Sequence, residues 1–222
     1  MRLVIATRNA HKAEEICAIL SHKFDFLTLR DFPDAPETIE DAPTFEGNAA
    51  KKAATLARWL LFGGKLNAGF VLADDSGLEV DALGGAPGVH SARFAFLDDL
   101  KAAAGKNSPD QANNAKLLRL LEKVPDQQRT ARFRCVLALI DIDPQTEKTV
   151  PELATTAKFF HGTCEGRVAF APGGAGGFGY DPLFIPNGYD RSFAELGEEL
   201  KNTMSHRAKA LQQLRNYFAS RT

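Results

Sequence analysis

A short apolar run that ends in two adjacent carboxylates is the feature that most limits how this chain can fold. The apolar residues 70–73 predict a buried strand, and Asp74 and Asp75 follow it directly. We expect Ser76 and Gly77 to end this strand in a turn. Neighbouring acids at a strand end repel each other unless a positive charge lies beside them, and a divalent cation is a common solution. The simpler alternative is a solvated acidic turn.

The composition is that of an ordinary globular chain. It has 222 residues, of which 44% are hydrophobic and 25% are charged. This length is enough for one large domain or for two lobes around a continuous core. The formal net charge is −1, so no overall field attracts nucleic acid or a membrane, and any anion site must be local. We therefore expect neither nucleic acid nor a membrane as a partner.

The cysteines and the first residues indicate a compartment. Cys17, Cys135 and Cys164 lack metal-ligand spacing, which is typical of free thiols in a reducing environment. Residues 1–5 lead into a predicted strand without the longer apolar stretch of a signal peptide, and no segment approaches transmembrane length. These features predict a cytoplasmic protein.

Predicted strands alternate with helices in the first part of the chain and form a more meander-like group later. The strands are predicted at residues 3–6, 70–73, 78–83, 132–141, 159–170 and 182–186, and helices at 44–61, 113–124 and 205–218, after a first helix that contains Ile16 and Leu20. This order favours a mixed α/β sheet over an all-parallel, doubly wound one. The segments 31–37 and 143–147 are predicted loops.

Polar residues lie between the first strand and the first helix. Thr7, Asn9 and Lys12 offer a hydroxyl, an amide and an ammonium group at a place where free backbone N–H groups favour an anion. The segment is not a P-loop, because it lacks the glycine-rich loop and the Gly-Lys-Ser/Thr ending. The alternative is that Asn9 only caps the helix and Lys12 is a surface charge.

The second helix presents an amide and a lysine on one face. Asn48 and Lys52 are four residues apart, and Glu40 belongs to an acidic pair just upstream. If Glu40 meets Asp75, two carboxylates from distant segments would frame one metal, with the lysines on the anion side. The alternative is a solvated, charged helix face.

A glycine cluster and the start of the last helix are candidates for base recognition. An aromatic side chain at Phe178 follows residues 173–177, and base stacking on such a ring is worth about 1–3 kcal/mol. Residues 205–207, Ser-His-Arg, open the last helix, and Lys201 precedes them by one turn. An arginine presents a rigid donor fork to carbonyl or phosphate oxygens. The alternatives are a turn with one buried phenylalanine and a helix start with a serine cap.

Six motifs occur in order along the chain. They are Thr7-x-Asn9-x-x-Lys12, Thr44-Phe45-x-x-Asn48-Ala49-x-x-Lys52-Ala53, Ala73-Asp74-Asp75-Ser76-Gly77-Leu78, Gly84-Gly85-Ala86-Pro87-Gly88-x-x-Ser91-Ala92-Arg93, Gly176-Gly177-Phe178-Gly179-Tyr180-Asp181-Pro182 and Ser205-His206-Arg207. This succession resembles the inosine/xanthosine triphosphate pyrophosphatase family from Arg2 to about Leu214. The chain departs from the family pattern at Gly47, where glutamate is frequent, and the acidic segment around Glu40 fits it loosely.

The resemblance implies a fold and an activity. The fold would be one pyrophosphatase domain over residues 1–222, with a mixed central sheet and two lobes around an active-site cleft, usually as a homodimer. The activity would be Mg²⁺-dependent hydrolysis of deaminated purine nucleoside triphosphates (ITP, dITP and XTP) to the monophosphate and pyrophosphate.

The resemblance also implies roles for individual residues. Asp75 would be the proton acceptor and a metal ligand, and Glu40 the second metal ligand. The phosphates would be held by Thr7, Arg8, Asn9, Ala10, His11, Lys12 and Lys52. The nucleoside would be lined by Ser76, Phe178, Gly179, Tyr180, Asp181, Lys201, His206 and Arg207.

Two other functions fit part of the sequence. An aspartyl-phosphate phosphatase with Asp75 as its nucleophile would need a second acid two residues later, where this chain has Gly77. A non-catalytic purine nucleotide sensor would use the same residues for binding alone. The intact acids and lysines favour turnover, and the sensor stays open as the alternative.

Overall fold

The chain folds into two compact units, each with its own core. The computed structural model describes residues 1–20, 24–66, 68–98, 107–143 and 149–221, so most of the predicted loop at 143–147 lies outside the described residues. Unit 1 comprises Met1–Asp75, Cys135–His161 and Ala210–Thr222, and unit 2 comprises Ser76–Arg134 and Gly162–Lys209.

Helices and strands alternate along most of the chain, which then continues with two consecutive strands and three consecutive helices. In order they are β1 (Arg2–Ile5), α1 (Ala10–Leu20), β2 (Asp25–Thr28), α2 (Phe45–Phe62), β3 (Gly69–Val80), α3 (Asp110–Leu120), β4 (Thr130–Ile142), α4 (Val150–Thr155), β5 (Lys158–Val168), β6 (Phe184–Pro186), α5 (Phe193–Leu196), α6 (Glu198–Met204) and α7 (His206–Ala219). Short 3₁₀ segments lie at Asp81–Leu83, Gly88–Asp98 and Asp126–Gln128. In the described part of the chain, no helix combines the length and the apolar character needed to cross a membrane.

The described strands pair in the order β2-β1-β3-β4-β5-β6. β1 pairs in parallel with β2 and with β3, whereas β5 and β6 are antiparallel, so the mixed α/β sheet predicted from the sequence is confirmed. The chain leaves β1 towards β2 on one side and reaches β3 on the other. Right-handed crossovers therefore place α1 and α2 on opposite faces of the sheet. The strand order reverses beside β1, which is where open α/β sheets bind ligands.

The acids of β3 lie just beyond this reversal. Ile5, the last residue of β1, pairs with Leu72, and β3 continues past it through Asp74 and Asp75. Because β3 is longer than β1, the two carboxylates lie beyond the carboxyl end of β1 and still belong to a strand. Both acids are part of unit 1.

The structure corrects the predicted turn after the acid pair. β3 is a single strand from Gly69 to Val80, so Ser76 and Gly77 lie inside it. β4 neighbours β3 in the sheet, and pairing along a long strand satisfies backbone groups, which outweighs the local turn preference of a Ser-Gly pair. The strand predicted at 78–83 accordingly ends at Val80. A 3₁₀ turn follows, closed by Gly84 with φ +62°.

α2 begins where its sequence signals indicate. Thr44 is the N-cap, and its Oγ1 accepts a hydrogen bond from Gly47 N at 3.1 Å. Phe45, Ala49 and Ala53 are buried on the face that the sequence periodicity predicts. The prediction of a helix over 44–61 is confirmed, and this helix fixes Asn48 and Lys52.

Each unit has a separate apolar core. The core of unit 1 consists of Leu3, Ile5, Ile16, Leu20, Leu72, Cys135, Leu137, Leu139, Phe160, Ala210, Leu211, Leu214 and Phe218. The core of unit 2 includes four phenylalanines, Phe94, Phe133, Phe184 and Phe193, and the ring centroid of Phe184 lies 4.7 Å from that of Phe133 and 5.2 Å from that of Phe193. The candidate site residues of each unit are therefore supported by a core of their own.

Candidate active site

Asp74 and Asp75 are tolerated side by side because each binds a different lysine. Both are buried, and successive side chains of a strand point to opposite faces. Lys12 Nζ of α1 donates to Asp74 Oδ1 at 2.6 Å, and Lys52 Nζ of α2 donates to Asp75 Oδ1 at 2.8 Å. The two helices lie on the two faces that the acids reach. Each buried carboxylate thus has its own positive charge within unit 1.

A second carboxylate shares the ammonium group of Lys52. Glu40 Oε2 lies 3.4 Å from Lys52 Nζ, so Glu40 and Asp75 approach the same ammonium group, whereas the sequence analysis raised a metal ion as the cation between them. Asn48 contributes to this arrangement from the same helix. Its Nδ2 donates to Asp75 Oδ2 at 3.3 Å, and its Oδ1 accepts from Ala42 N at 3.0 Å. Asn48 therefore ties the segment that carries Glu40 to the acid on β3.

The electrostatic environment favours a basic carboxylate next to a charged lysine. Burial raises the pKa of Asp75. The positive charges of Lys52 and Lys12 offset part of this rise, whereas the negative charge of Glu40 adds to it. Burial alone would lower the pKa of Lys52, but the negative charges of Asp75 and Glu40 raise it above its usual value. A carboxylate whose pKa is raised is a better proton acceptor near neutral pH. Lys52 remains a cation available to an anionic ligand.

Both oxygens of Asp74 are engaged inside unit 1. Lys12 binds Oδ1, and the thiol of Cys135 on β4 donates to Oδ2 at 3.2 Å. The sequence indicates only a free thiol at Cys135, and no local signal predicts this contact. Asp74 is thereby fixed as a support for Lys12.

The loop before α1 is held by its own polar side chains. Thr7 Oγ1 accepts a hydrogen bond from Asn9 N at 3.2 Å, and Asn9 Oδ1 accepts from Lys12 N at 3.1 Å. Asn9 therefore caps the helix that begins at Ala10, which is the simpler alternative raised by the sequence. The side chain of Lys12 is only 17% exposed, so Lys12 is not a surface charge.

Two predicted phosphate residues have other partners. Arg8 Nη2 donates to the carbonyl oxygen of Ala35 at 2.7 Å, which ties this loop to the segment at 31–37. His11 lies on an exposed face of α1, 3.9 Å from Glu14. Of the predicted phosphate group, Lys12 and Lys52 bind the acids of β3 directly.

A second cluster, in unit 2, contains the residues predicted to line the nucleoside. Asp181 Oδ2 accepts hydrogen bonds from Lys201 Nζ at 2.6 Å and from Phe178 N at 2.9 Å. The Lys201 ammonium also lies 4.4 Å from the centroid of the Phe178 ring, and the Arg207 guanidinium lies 5.9 Å from it. Arg207 Nη2 donates to Ser76 Oγ at 3.0 Å. Cations thus surround one aromatic ring.

The remaining predicted nucleoside residues have structural partners. The Tyr180 hydroxyl donates to the carbonyl oxygen of Ser91 at 2.9 Å, and burial raises the pKa of Tyr180. The His206 ring stacks on Phe133, with centroids 4.7 Å apart and an interplanar angle of 13°. Gly179 has φ +61°, a backbone conformation that favours glycine. These residues shape the cluster from within the core of unit 2.

Comparison with known proteins identifies the family. A sequence model of the Ham1 family matches residues 3–217. The chain belongs to the Ham1 family. The dITP/XTP pyrophosphatase of Geobacter sulfurreducens is 46% identical over 217 residues, covering 97% of this chain and 96% of the relative. The enzyme of the same name from Shouchella clausii is 45% identical over 213 residues, covering 96% and 94%.

Solved Ham1 structures share the fold. A HAM1 protein from Coxiella burnetii superposes with a TM-score of 0.77 at 35% identity, over 99% of each chain. The Ham1 protein of Staphylococcus aureus also gives a TM-score of 0.77, at 34% identity over 100% of each chain. The family resemblance and the fold class indicated by the sequence are confirmed.

The carboxylates of this Ham1-family chain suit a hydrated divalent ion. Among the residues that the structure describes, no group of three or more His, Cys, Asp and Glu side chains could hold a metal. Glu40 and Asp75 are the pair that converges, and they already share one cation. Mg²⁺ usually keeps several waters and binds through one or two carboxylates plus substrate phosphates. Two converging carboxylates beside an anion-binding lysine fit that ion.

Proposed function

We propose that this protein hydrolyses the deaminated purine nucleoside triphosphates ITP, dITP and XTP to the nucleoside monophosphate and pyrophosphate. The observation that carries the proposal is the pair of adjacent buried acids in β3, each bound to its own lysine. Membership of the Ham1 family and relatives named dITP/XTP pyrophosphatase support it.

The lysines and the start of α1 bind the triphosphate. Such a substrate carries about four negative charges, and catalysis of phosphoryl transfer depends mainly on positioning and charge neutralisation. Lys12 and Lys52 supply positive charges that Asp74 and Asp75 hold in place, and the loop from Thr7 to Lys12 supplies backbone N–H groups at the helix start. The chain thus offers an anion site despite its net charge of −1.

Asp75 acts as the proton acceptor. Water attacks the α-phosphorus, the bond from that phosphorus to the bridging oxygen breaks, and pyrophosphate leaves. The proton of the attacking water passes to Asp75 Oδ2, the oxygen that Lys52 does not bind. Asn48 orients this carboxyl group through its amide. The raised pKa of Asp75 suits this role.

We assign a Mg²⁺ ion to Glu40 and Asp75. When bound, the ion neutralises phosphate charge and polarises the reacting phosphoryl group. Lys52 bridges both carboxylates and holds them close together. Asn48 keeps the backbone next to Glu40 attached to α2.

The unit 2 cluster recognises the purine. Its ring stacks on Phe178, and Arg207 donates to the oxygen at C6 of hypoxanthine or xanthine. Adenine carries an amino group there, which would leave two donors facing each other. Lys201 and Ser76 complete the polar surroundings of the ring. Asp75 and Ser76 are consecutive residues, so one peptide bond of β3 joins the two clusters.

The proposal extends to the organisation of the protein. Residues 1–222 act as one pyrophosphatase domain, in keeping with the family match over 3–217. We expect a cytoplasmic homodimer that uses neither nucleic acid nor a membrane as a partner. The free cysteines Cys17, Cys135 and Cys164 support a reducing compartment.

Product analysis tests the activity. ITP, dITP, XTP, GTP and ATP are each incubated with the protein in Mg²⁺ or in EDTA, and pyrophosphate and orthophosphate are measured separately. We expect pyrophosphate from the deaminated purines, and only with Mg²⁺. Orthophosphate as the first product would mean attack at the γ-phosphorus and would refute the proposal. Tight ITP binding without turnover would favour the sensor.

A further inference from the structure

Helix α3 holds both polar groups of one peptide residue beside the candidate stacking ring. Gly179 follows Phe178 directly. Its N–H donates to Asp110 Oδ2 at 2.6 Å, and its carbonyl oxygen accepts from Asn114 Nδ2 at 3.0 Å. Asp110 and Asn114 are four residues apart in the first turns of α3, so they share one face of the helix. All of these residues belong to unit 2.

The amide of Asn114 uses its Nδ2 atom for this contact, and its Oδ1 atom is left without a partner in the described part of the chain. Its Oδ1 is buried and has no hydrogen-bond partner among the described residues. Exchanging the oxygen and nitrogen of the amide would place Oδ1 against the Gly179 carbonyl oxygen and lose the bond. A buried polar atom without a partner is rare in native proteins and calls for a specific reason. Holding the Gly179 carbonyl oxygen supplies that reason.

The two contacts act on a residue whose backbone could otherwise move. Gly179 has φ +61°, and a Cβ atom built at this position meets nothing within 4 Å. No packing against a side chain of the described residues restrains Gly179 on the side where a Cβ atom would lie. The backbone that carries the Phe178 ring is held on both sides of its Cα atom. Phe178 N is bound to Asp181, and Gly179 N is bound to Asp110 of α3.

We propose that Asp110 and Asn114 are positioning residues for the purine: they fix the Gly179 peptide and thereby the backbone that carries the Phe178 ring. The inference rests on the proposed function and deepens it, because Phe178 is assigned there as the stacking surface. Asp110 and Asn114 belong to unit 2, whereas the phosphate-binding lysines belong to unit 1. Loss of Asp110 or Asn114 weakens base binding and leaves the chemical step intact.

Kinetic constants separate positioning from a merely structural role. Asn114→Ala removes the donor to the Gly179 carbonyl oxygen, and Asp110→Ala removes the acceptor for its N–H. We expect each variant to raise KM for ITP about 5- to 20-fold, with kcat within about twofold of wild type, since a preorganised site lowers the cost of binding. Asp110→Asn keeps an oxygen acceptor and should restore a KM close to that of wild type.

A matched control excludes general loss of packing. Asn113→Ala removes a buried amide from the same helix, but one that binds Ser108 and Ala95. It should lower the melting temperature and leave KM for ITP unchanged. The dissociation constant of IMP, measured by calorimetry, should rise in Asn114→Ala and stay constant in Asn113→Ala.

The outcomes separate this proposal from the proposed function. A wild-type protein that releases no pyrophosphate from ITP refutes the function, and the positioning role is then decided by IMP binding alone. Wild-type turnover with unchanged KM and unchanged IMP affinity in both alanine variants overturns the positioning role. Equal effects of Asn113→Ala and Asn114→Ala on KM would also overturn it.

Discussion

The two clusters of predicted site residues are built from different interactions. In unit 1, side chains of opposite charge meet directly, with Lys12 2.6 Å from Asp74 and Lys52 2.8 Å from Asp75. In unit 2, the loop that carries Phe178 is held largely through its backbone, by bonds to the N–H groups of Phe178 and Gly179 and to the Gly179 carbonyl oxygen. Substitutions of the paired side chains change charge in the first cluster, whereas loss of the loop contacts changes geometry in the second, which also contains the Lys201–Asp181 ion pair.

This difference assigns separate kinetic signatures to the clusters. Removing one partner of a buried ion pair leaves an uncompensated charge, which is strongly destabilising and alters the field that acts on the phosphates. Shifting an aromatic ring changes how well a base is bound without changing that field. We expect variants of unit 1 to lower kcat and variants of unit 2 to change KM and selectivity.

The largest effect is expected for Asp75→Asn. The amide cannot accept the proton, and loss of a general base typically lowers the rate by about 10²–10⁴-fold. Loss of a metal ligand adds to this. Pyrophosphate release from ITP at saturating Mg²⁺ measures it, and Asp41→Asn is the control, since Asp41 is an exposed acid bound to Lys51. A variant that keeps most of its activity would remove Asp75 from the mechanism.

The second-largest effect is expected for Lys52→Gln. Its kcat should fall about 10²–10³-fold, which is the usual effect of losing one preorganised electrostatic contact. The variant also leaves Glu40 and Asp75 without their shared cation. Lys51→Gln is a matched control on the next position of α2, where the lysine binds exposed Asp41. Similar kcat values for the two variants would contradict the division between the clusters.

Arg207→Ala should reduce the preference for ITP over ATP about 10- to 100-fold. In the wild type, the arginine donor finds an acceptor on hypoxanthine but none on adenine, and a buried donor without an acceptor costs roughly 1–3 kcal/mol. The measured quantity is the ratio of kcat/KM for ITP to that for ATP. Arg215→Ala, on the exposed side of the same helix, serves as the control. If both rates fall together at a constant ratio, Arg207 binds phosphate or supports the fold, and the base is recognised elsewhere.

The smallest effect is expected for Thr44→Ala, which removes the N-cap of α2. An N-cap contributes about 1 kcal/mol, which lowers the melting temperature of a chain of this size by about 2–4 °C. Scanning calorimetry measures this shift. The ITP-to-ATP ratio should not change, because the cap supports a helix of unit 1. A change in that ratio would show that α2 influences base recognition.

Local signals predicted the four longer helices, α1, α2, α3 and α7, but missed the short helices α4, α5 and α6. The start of α2 follows from Thr44 and its apolar spacing, which act within a few residues. The turn predicted at Ser76 was wrong because pairing with distant strands decided the conformation. β2 was missed because it is only four residues long and half-buried, so its alternation is weak. α3 begins at Asp110, three residues before the predicted start.

The sequence predicted which residue types meet better than it predicted their partners. The sequence raised a meeting of Glu40 and Asp75 around a metal ion, and in the structure the cation that both acids approach is Lys52. The Cys135 thiol on Asp74 was missed, because strand pairing brings together residues 61 positions apart. The contacts of Asn114 to Gly179 join positions 65 apart. Contacts over such separations depend on tertiary packing, which motif spacing does not record.

The alternation of Asp74 and Asp75 across β3 restricts the length of the chain as well as its composition. Leu72 is the last residue of β3 that pairs with β1. Deleting or inserting one residue between Leu72 and Asp74 would move each of the two acids to the opposite face of the sheet. Asp74 would then point towards α2 and Asp75 towards α1, and neither lysine would reach its present carboxylate. Conservative substitutions elsewhere in the strand keep this arrangement. A single-codon insertion or deletion at this point destroys it, even though every charged residue is still present.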